Sequence, residues 1–155
     1  MYSRVIDFSS DKFPGKIGAA VGNLRGLEAL NLSNNNLNGG IPFSLADIKE
    51  LDSLDLSYDM LSGGILHELS ELTYLEVFNV SHNNLVAPIP EGGQFSTFDS
   101  SSVDRNSGLC GSPLSKMCRH TDEAEAPPMT DNDRELHPSW LTGSSGCWAV
   151  LMVLW

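Results

Sequence analysis

One phrase recurs along the chain at a fixed interval. Leu27 opens LEALNLSNNNLNGGIPFSLADI, Leu51 opens LDSLDLSYDMLSGGILHELSEL and Leu75 opens LEVFNVSHNNLVAPIP. Stepping back by the same interval puts Ile6, Phe8, Phe13, Gly15, Ile17, Val21 and Leu24 in matching columns. A period of this length constrains the fold more than any single residue does. Each unit is too small to bury its own apolar face, so neighbours must stack and share one core. Such stacks seldom do chemistry; they present a curved surface to another macromolecule.

The columns read LxxLxLSxNxLxGxIPxxLxxL, which predicts an α/β leucine-rich repeat solenoid with parallel strands on its concave face. Leu30 and Leu32 flank Asn31, Leu54 and Leu56 flank Asp55, and Phe78 and Val80 flank Asn79. That alternation makes a short strand with one buried face. Asn35 and Asn83 share a column with Asp11 and Asp59. An inward amide there can satisfy backbone groups of neighbouring repeats, and leaving it unpaired would cost about 1–3 kcal/mol. A ladder is therefore expected through these four positions. Asp11 and Asp59 should be weaker rungs, because an ionised carboxylate donates nothing. They are not read as a metal site, since they stand two repeats apart in space, too far to share one ion. Gly15, Gly39 and Gly63 allow a bend before Ile17, Ile41 and Ile65, and Pro42 and Pro90 follow where no donor is needed. Gly18 and Leu66 replace that proline in two repeats and Ala87 replaces the glycine in the last, so looser turns are expected there. The expected repeats are 3–26, 27–50, 51–74 and 75–92.

LNLSNNNLNGGIP, from Leu30 to Pro42, resembles the signature of plant extracellular leucine-rich repeats. VFNVSHNNLVAPIPEGGQFSTF, then NSGLCGSPLSKMC, then an acidic stretch and an apolar start, is similar to the membrane-proximal end of plant receptor-like proteins. The resemblance runs over about residues 4 to 155. It implies an ectodomain at the extracellular side of the plasma membrane, a single transmembrane helix and a short cytoplasmic tail. It also implies signalling through partner receptor kinases in defence or development, with no cofactor. It further implies that Cys110 and Cys118 close a C-terminal cap over 93–120 as a disulfide. The closed loop would contribute roughly 2.5 kcal/mol by chain entropy. A zinc site is the weaker reading of that pair, because two cysteines with only His120 nearby lack a fourth ligand. Full members of this family carry a secretory signal and a cysteine cap before the repeats. Here Met1 leads into YSRVIDFSS with no apolar signal core, so the expectation is of a chain entering in mid-solenoid with an open apolar edge.

The formal net charge is −11, which argues against nucleic-acid binding. Residues 1–98 hold 5 basic and 12 acidic side chains. The second column of the repeat runs Arg4, Glu28, Asp52, Glu76 and the fifth runs Asp7, Asn31, Asp55, Asn79. Both should line the concave face and make it acidic, with Tyr58 and His82 adding contact area beside them. That face is expected either to be simply solvated or to dock a basic patch on a partner protein. Asn31-Leu-Ser and Asn79-Val-Ser are also N-glycosylation acceptors.

Beyond the cap, residues 121–145 read as an acidic juxtamembrane linker. TDEAEAPPMTDNDRELH alone has six acids, one arginine and two prolines. CWAVLMVLW, Cys147 to Trp155, is apolar throughout, but a bilayer span needs about 20 such residues. Residues 146–155 are therefore expected to be the start of a truncated transmembrane helix, with Cys147 left as an odd cysteine. No phosphate loop, dinucleotide fingerprint or kinase signature occurs. His67, His82, His120 and His137 have no cysteine or serine at a motif spacing, so no catalytic residue is assigned and the chain is not read as an enzyme. Three functions compete: a receptor fragment that binds partner kinases, a secreted hydrolase inhibitor of the polygalacturonase-inhibitor type, and an inactive gene-fragment product.

Overall fold

The structure, a computed structural model, describes residues 4–119. The acidic linker, the apolar end and Cys147 lie outside these residues. Two parallel sheets run along the stack. The first has strands β1 (Val5–Asp7), β3 (Ala29–Asn31), β5 (Ser53–Asp55) and β7 (Val77–Asn79). The second has β2 (Pro14–Lys16), β4 (Asn36–Gly39), β6 (Met60–Gly63), β8 (Asn84–Pro88) and β9 (Gly108–Cys110). The convex side is built from 3-10 turns at Ala19–Asn23, Phe43–Asp47 and His67–Glu71. No α-helix occurs among the described residues. The short stretch between the Ile-Pro bend and the next leucine suffices for one 3-10 turn, whereas an α-helix that short has almost no stability of its own.

In the first sheet Ile6, Leu30, Leu54 and Phe78 lie side by side, in step with the sequence repeat. Each strand is short because a local turn ends it. The Oδ1 atoms of Asp7, Asn31, Asp55 and Asn79 accept the N–H of Ser9, Ser33, Ser57 and Ser81 at 2.9–3.0 Å. This is the turn that Asn and Asp favour by bonding backbone two positions on. The residues after those serines, Ser10, Asn34, Tyr58 and His82, then take positive φ.

The second sheet is absent from the sequence reading, which treated this region as a bend. Segments such as NLNGG have little strand propensity. They pair because every repeat offers the same backbone at the same height. Asn38 pairs with Met60, although the sequence repeat aligns it with Ser62. Val86 likewise pairs with Gly108. A slip by an even number of positions keeps each side chain on its own face.

Between the sheets and the convex turns lies one core. Leu45, Ile48, Leu51, Leu54, Leu56, Leu61, Leu69, Leu72, Leu75 and Leu85 are wholly enclosed. Ile6, Phe8, Phe13 and Leu24 of the first repeat are only partly buried. At the other end Phe95 and Phe98 fold over Phe78, with ring centroids 4.8 and 5.5 Å away. Gly93 sits where the cap backbone meets the Ser70 carbonyl, which leaves no room for a Cβ. Cys110 and Cys118 are joined by a disulfide, Cα atoms 5.0 Å apart.

A ladder of side chains threads the interior. The Oδ1 atoms of Asn35, Asp59, Asn83 and Asn106 accept the N–H of Phe13, Leu37, Leu61 and Leu85 in the repeat before, at 2.8–3.0 Å. The amides also donate: Asn83 Nδ2 reaches the carbonyls of Leu56, Val80 and Ser81, and Asn106 Nδ2 those of Val80, Val103 and Asp104. The expected ladder is corrected at one end and extended at the other. Asp11 is exposed and makes no ladder bond among the described residues, where no described repeat lies before it for the rung to reach back to. Asn106 adds a rung inside the cap, and β9 pairs with β8 there. The cap is thus a shortened fifth turn of the same solenoid.

Ala87 occupies the column of Gly15, Gly39 and Gly63 and adopts their left-handed backbone, with φ of 76°. An L side chain in that region costs about 1–2 kcal/mol, partly offset by the greater unfolded-state entropy of glycine. Ala87→Gly is therefore expected to raise stability by about 0.5–1 kcal/mol, and Gly93→Ala to lower it by about 1–3 kcal/mol, in urea unfolding.

Candidate functional site

The outward side of the first sheet is the candidate face. Backbone bonds hold its edge column rigidly: Glu28 N–H donates to Arg4 O at 2.9 Å, Asp52 to Glu28 O at 2.8 Å and Glu76 to Asp52 O at 2.8 Å. Asp52 and Glu76 are exposed and Glu28 is half-buried. Next to them lies the column Val5, Ala29, Ser53 and Val77, in which Val5 and Val77 are more than half exposed. Sequence reasoning missed these exposed valines. Their signal was present in the outward position just before each buried strand residue.

The fifth column is less free than expected. The carboxylate of Asp55 accepts both the N–H and the hydroxyl of Ser57, at 2.9 and 2.7 Å. Asn31 does the same with Ser33, at 3.0 and 2.7 Å. These residues shape the turn and are half-buried. Asp7 holds its carboxyl below the usual range, because the Ser9 N–H and hydroxyl bond it in the charged form.

Across the sheet from the acidic column, Tyr58 stacks on His82, ring centroids 4.0 Å apart and planes 12° from parallel. Tyr58 is 54% exposed. Both residues have left-handed backbones, φ 59° and 56°, where a bulky residue is an outlier. Asn34, in the same column one repeat earlier, suits that conformation better and bonds Ser10 Oγ at 2.9 Å. The turn imposes the backbone on whatever residue stands there. Face and rim therefore combine carboxylates, two exposed valines and an exposed tyrosine stacked on a half-buried histidine. Among the described residues no three metal-ligating side chains converge.

The stacked strands and the interior ladder define the fold as a leucine-rich repeat solenoid. The family model described as Leucine Rich Repeat matches residues 26–48. Receptor-like protein 9DC3 of Solanum pimpinellifolium is 47% identical over 45 residues, which is 29% of this chain and 5% of that protein. The BIR2 ectodomain of Arabidopsis thaliana has 42% identity and a TM-score of 0.69, over 72% of this chain and 59% of its own. A chain of the BIR3–SERK2 complex from the same plant has 29% identity and a TM-score of 0.58, over 74% and 73%. The chain's likeness is therefore to plant leucine-rich repeat receptor-like proteins and receptor ectodomains, although it spans only a small part of the receptor-like protein it matches. Among the described residues no helix is long and apolar enough to cross a membrane.

Tyr58→Asn would trade the ring stack, worth about 0.5–1.5 kcal/mol, for a residue suited to positive φ. Stability is expected to change by less than about 1 kcal/mol in urea unfolding. A substantially larger loss would make the pair part of the scaffold instead of part of the face.

Proposed function

We propose that the concave face is a docking surface for a partner protein carrying a basic patch, the ectodomain of a receptor kinase or co-receptor. The chain would then serve as a non-catalytic recognition module at the extracellular side of the plant plasma membrane, in defence or developmental signalling. The observation that carries this reading is the pairing of the Glu28, Asp52 and Glu76 column with the Tyr58–His82 stack across one rigid sheet. Carboxylates in a row steer a cationic surface and set its register, while the exposed Tyr58 ring, held on His82, supplies contact area at low entropic cost. The likeness to the BIR2 ectodomain and to a chain of the BIR3–SERK2 complex supports it. Asn31 and Asn79 are proposed glycan acceptors, which would confine docking to the surface between and beside them.

Surface plasmon resonance of the full, disulfide-bonded chain against plant receptor-kinase ectodomains tests the proposal. Binding should weaken as salt rises, and Asp52→Lys with Glu76→Lys should slow association at least tenfold while leaving the unfolding midpoint nearly unchanged. Folded protein that binds no such ectodomain, or binds it equally well after charge reversal, would sink the proposal.

A further inference from the structure

Asp59 is the ladder residue whose chemistry does not match its place. Asn35 and Asn83, on either side of it, each use both ends of the amide. Oδ1 accepts an N–H from the preceding repeat, and Nδ2 donates to three carbonyls, those of Phe8, Leu32 and Ser33 for Asn35 and of Leu56, Val80 and Ser81 for Asn83. Asp59 reproduces the first half only. Its Oδ1 accepts the Leu37 N–H at 2.8 Å. Its Oδ2 is buried and has no hydrogen-bond partner. By the spacing of the Asn83 rung, the carbonyls equivalent to its acceptors are those of Leu32, Leu56 and Ser57. An ionised oxygen in the place of an amide donor can only accept, so that half of the rung stays unmade.

We propose that Asp59 is a proton-operated latch between repeats. With one proton taken from solvent onto Oδ2, the carboxyl becomes a donor and completes the rung; without it, the rung is half made. The stack is therefore tighter in mildly acidic solution than at neutral pH.

The surroundings agree with this direction. Burial pushes the Asp59 carboxyl up from the ordinary 3.8 to about 6, against the backbone N–H groups of Leu37 and Asn35, which favour the charged form; the negative charge of Asp55 adds to the rise. In the following repeat the ionisable residue at the same turn is His82, whose ring lies on Tyr58. The preceding repeat presents Asn31, Asn34 and Asn35, which do not titrate. A carboxyl that holds its proton more tightly folded than unfolded adds stability below its unfolded pKa and loses it as pH rises through the folded value. The window here runs from 3.8 to about 6. Asp59 N–H also bonds His82 O at 3.2 Å, and Tyr58 N–H bonds Ser81 O at 3.0 Å, so the latch lies directly behind the aromatic pair.

The test compares urea unfolding of the full, disulfide-bonded chain and of Asp59→Asn from the carboxylate range up to neutral pH. Asparagine restores the missing donor and cannot titrate. The folding constant of the natural chain should fall relative to Asp59→Asn by roughly ten- to hundredfold as pH rises through the window, whatever the other acids do to both proteins. Parallel curves at every pH would overturn the proposal. Carbon-13 NMR of the Asp59 carboxyl in the natural chain gives a check that needs no variant. Titration near pH 6 supports the latch, and titration at the ordinary carboxylate value overturns it.

Discussion

A stack of short repeats has to satisfy backbone groups that no repeat can satisfy alone, and the interior ladder is how this chain does it. Each turn after the buried LxL strand leaves carbonyls and an N–H facing inward, away from water. An asparagine amide matches that set, accepting once from the repeat before and donating to both repeats. Orphaning such groups costs about 1–3 kcal/mol each, so the ladder governs whether neighbouring repeats close on one another. The leucine core supplies most of the driving force, but it is non-directional. The ladder and the two sheets set the register.

The same constraint shapes the outer face. Because the turn forces a left-handed residue after each LxLS phrase, the rim beside the first sheet must carry side chains in a conformation that suits Asn. Tyr58 and His82 stand there at a local cost and stack on each other. The carboxylates of Asp52 and Glu76 lie on backbone fixed by bonds running from repeat to repeat. Rigidity of this kind lowers the entropy lost on binding, which is why repeat solenoids make good docking surfaces.

Much of this was legible in the sequence because a period averages over local ambiguity. The buried columns, the concave strand and the Asn35 and Asn83 rungs follow from alternation repeated in phase. The second sheet did not show, because its strands are rich in Asn, Gly and Ser and exist only through pairing between repeats. Asn106 was hidden by a single deletion: the period carries the Asn83 column to Ser107, one position too late. The spacing Val103-x-x-Asn106, the same as Val80-x-x-Asn83, was the available signal. Asp11 makes no rung among the described residues, because a rung needs a repeat behind it and column membership alone does not supply one. The exposed Val5 and Val77 escaped notice because valine in a strand reads as core.

Native-state hydrogen exchange at the ladder donors tests the central claim, that one ladder runs unbroken from the repeats into the cap. The amides of Phe13, Leu37, Leu61 and Leu85 should be protected, with Leu61 and Leu85 opening together with the Cys110 strand as one cooperative unit. Rapid exchange at Leu85 and through the cap, with Leu61 still protected, would contradict it.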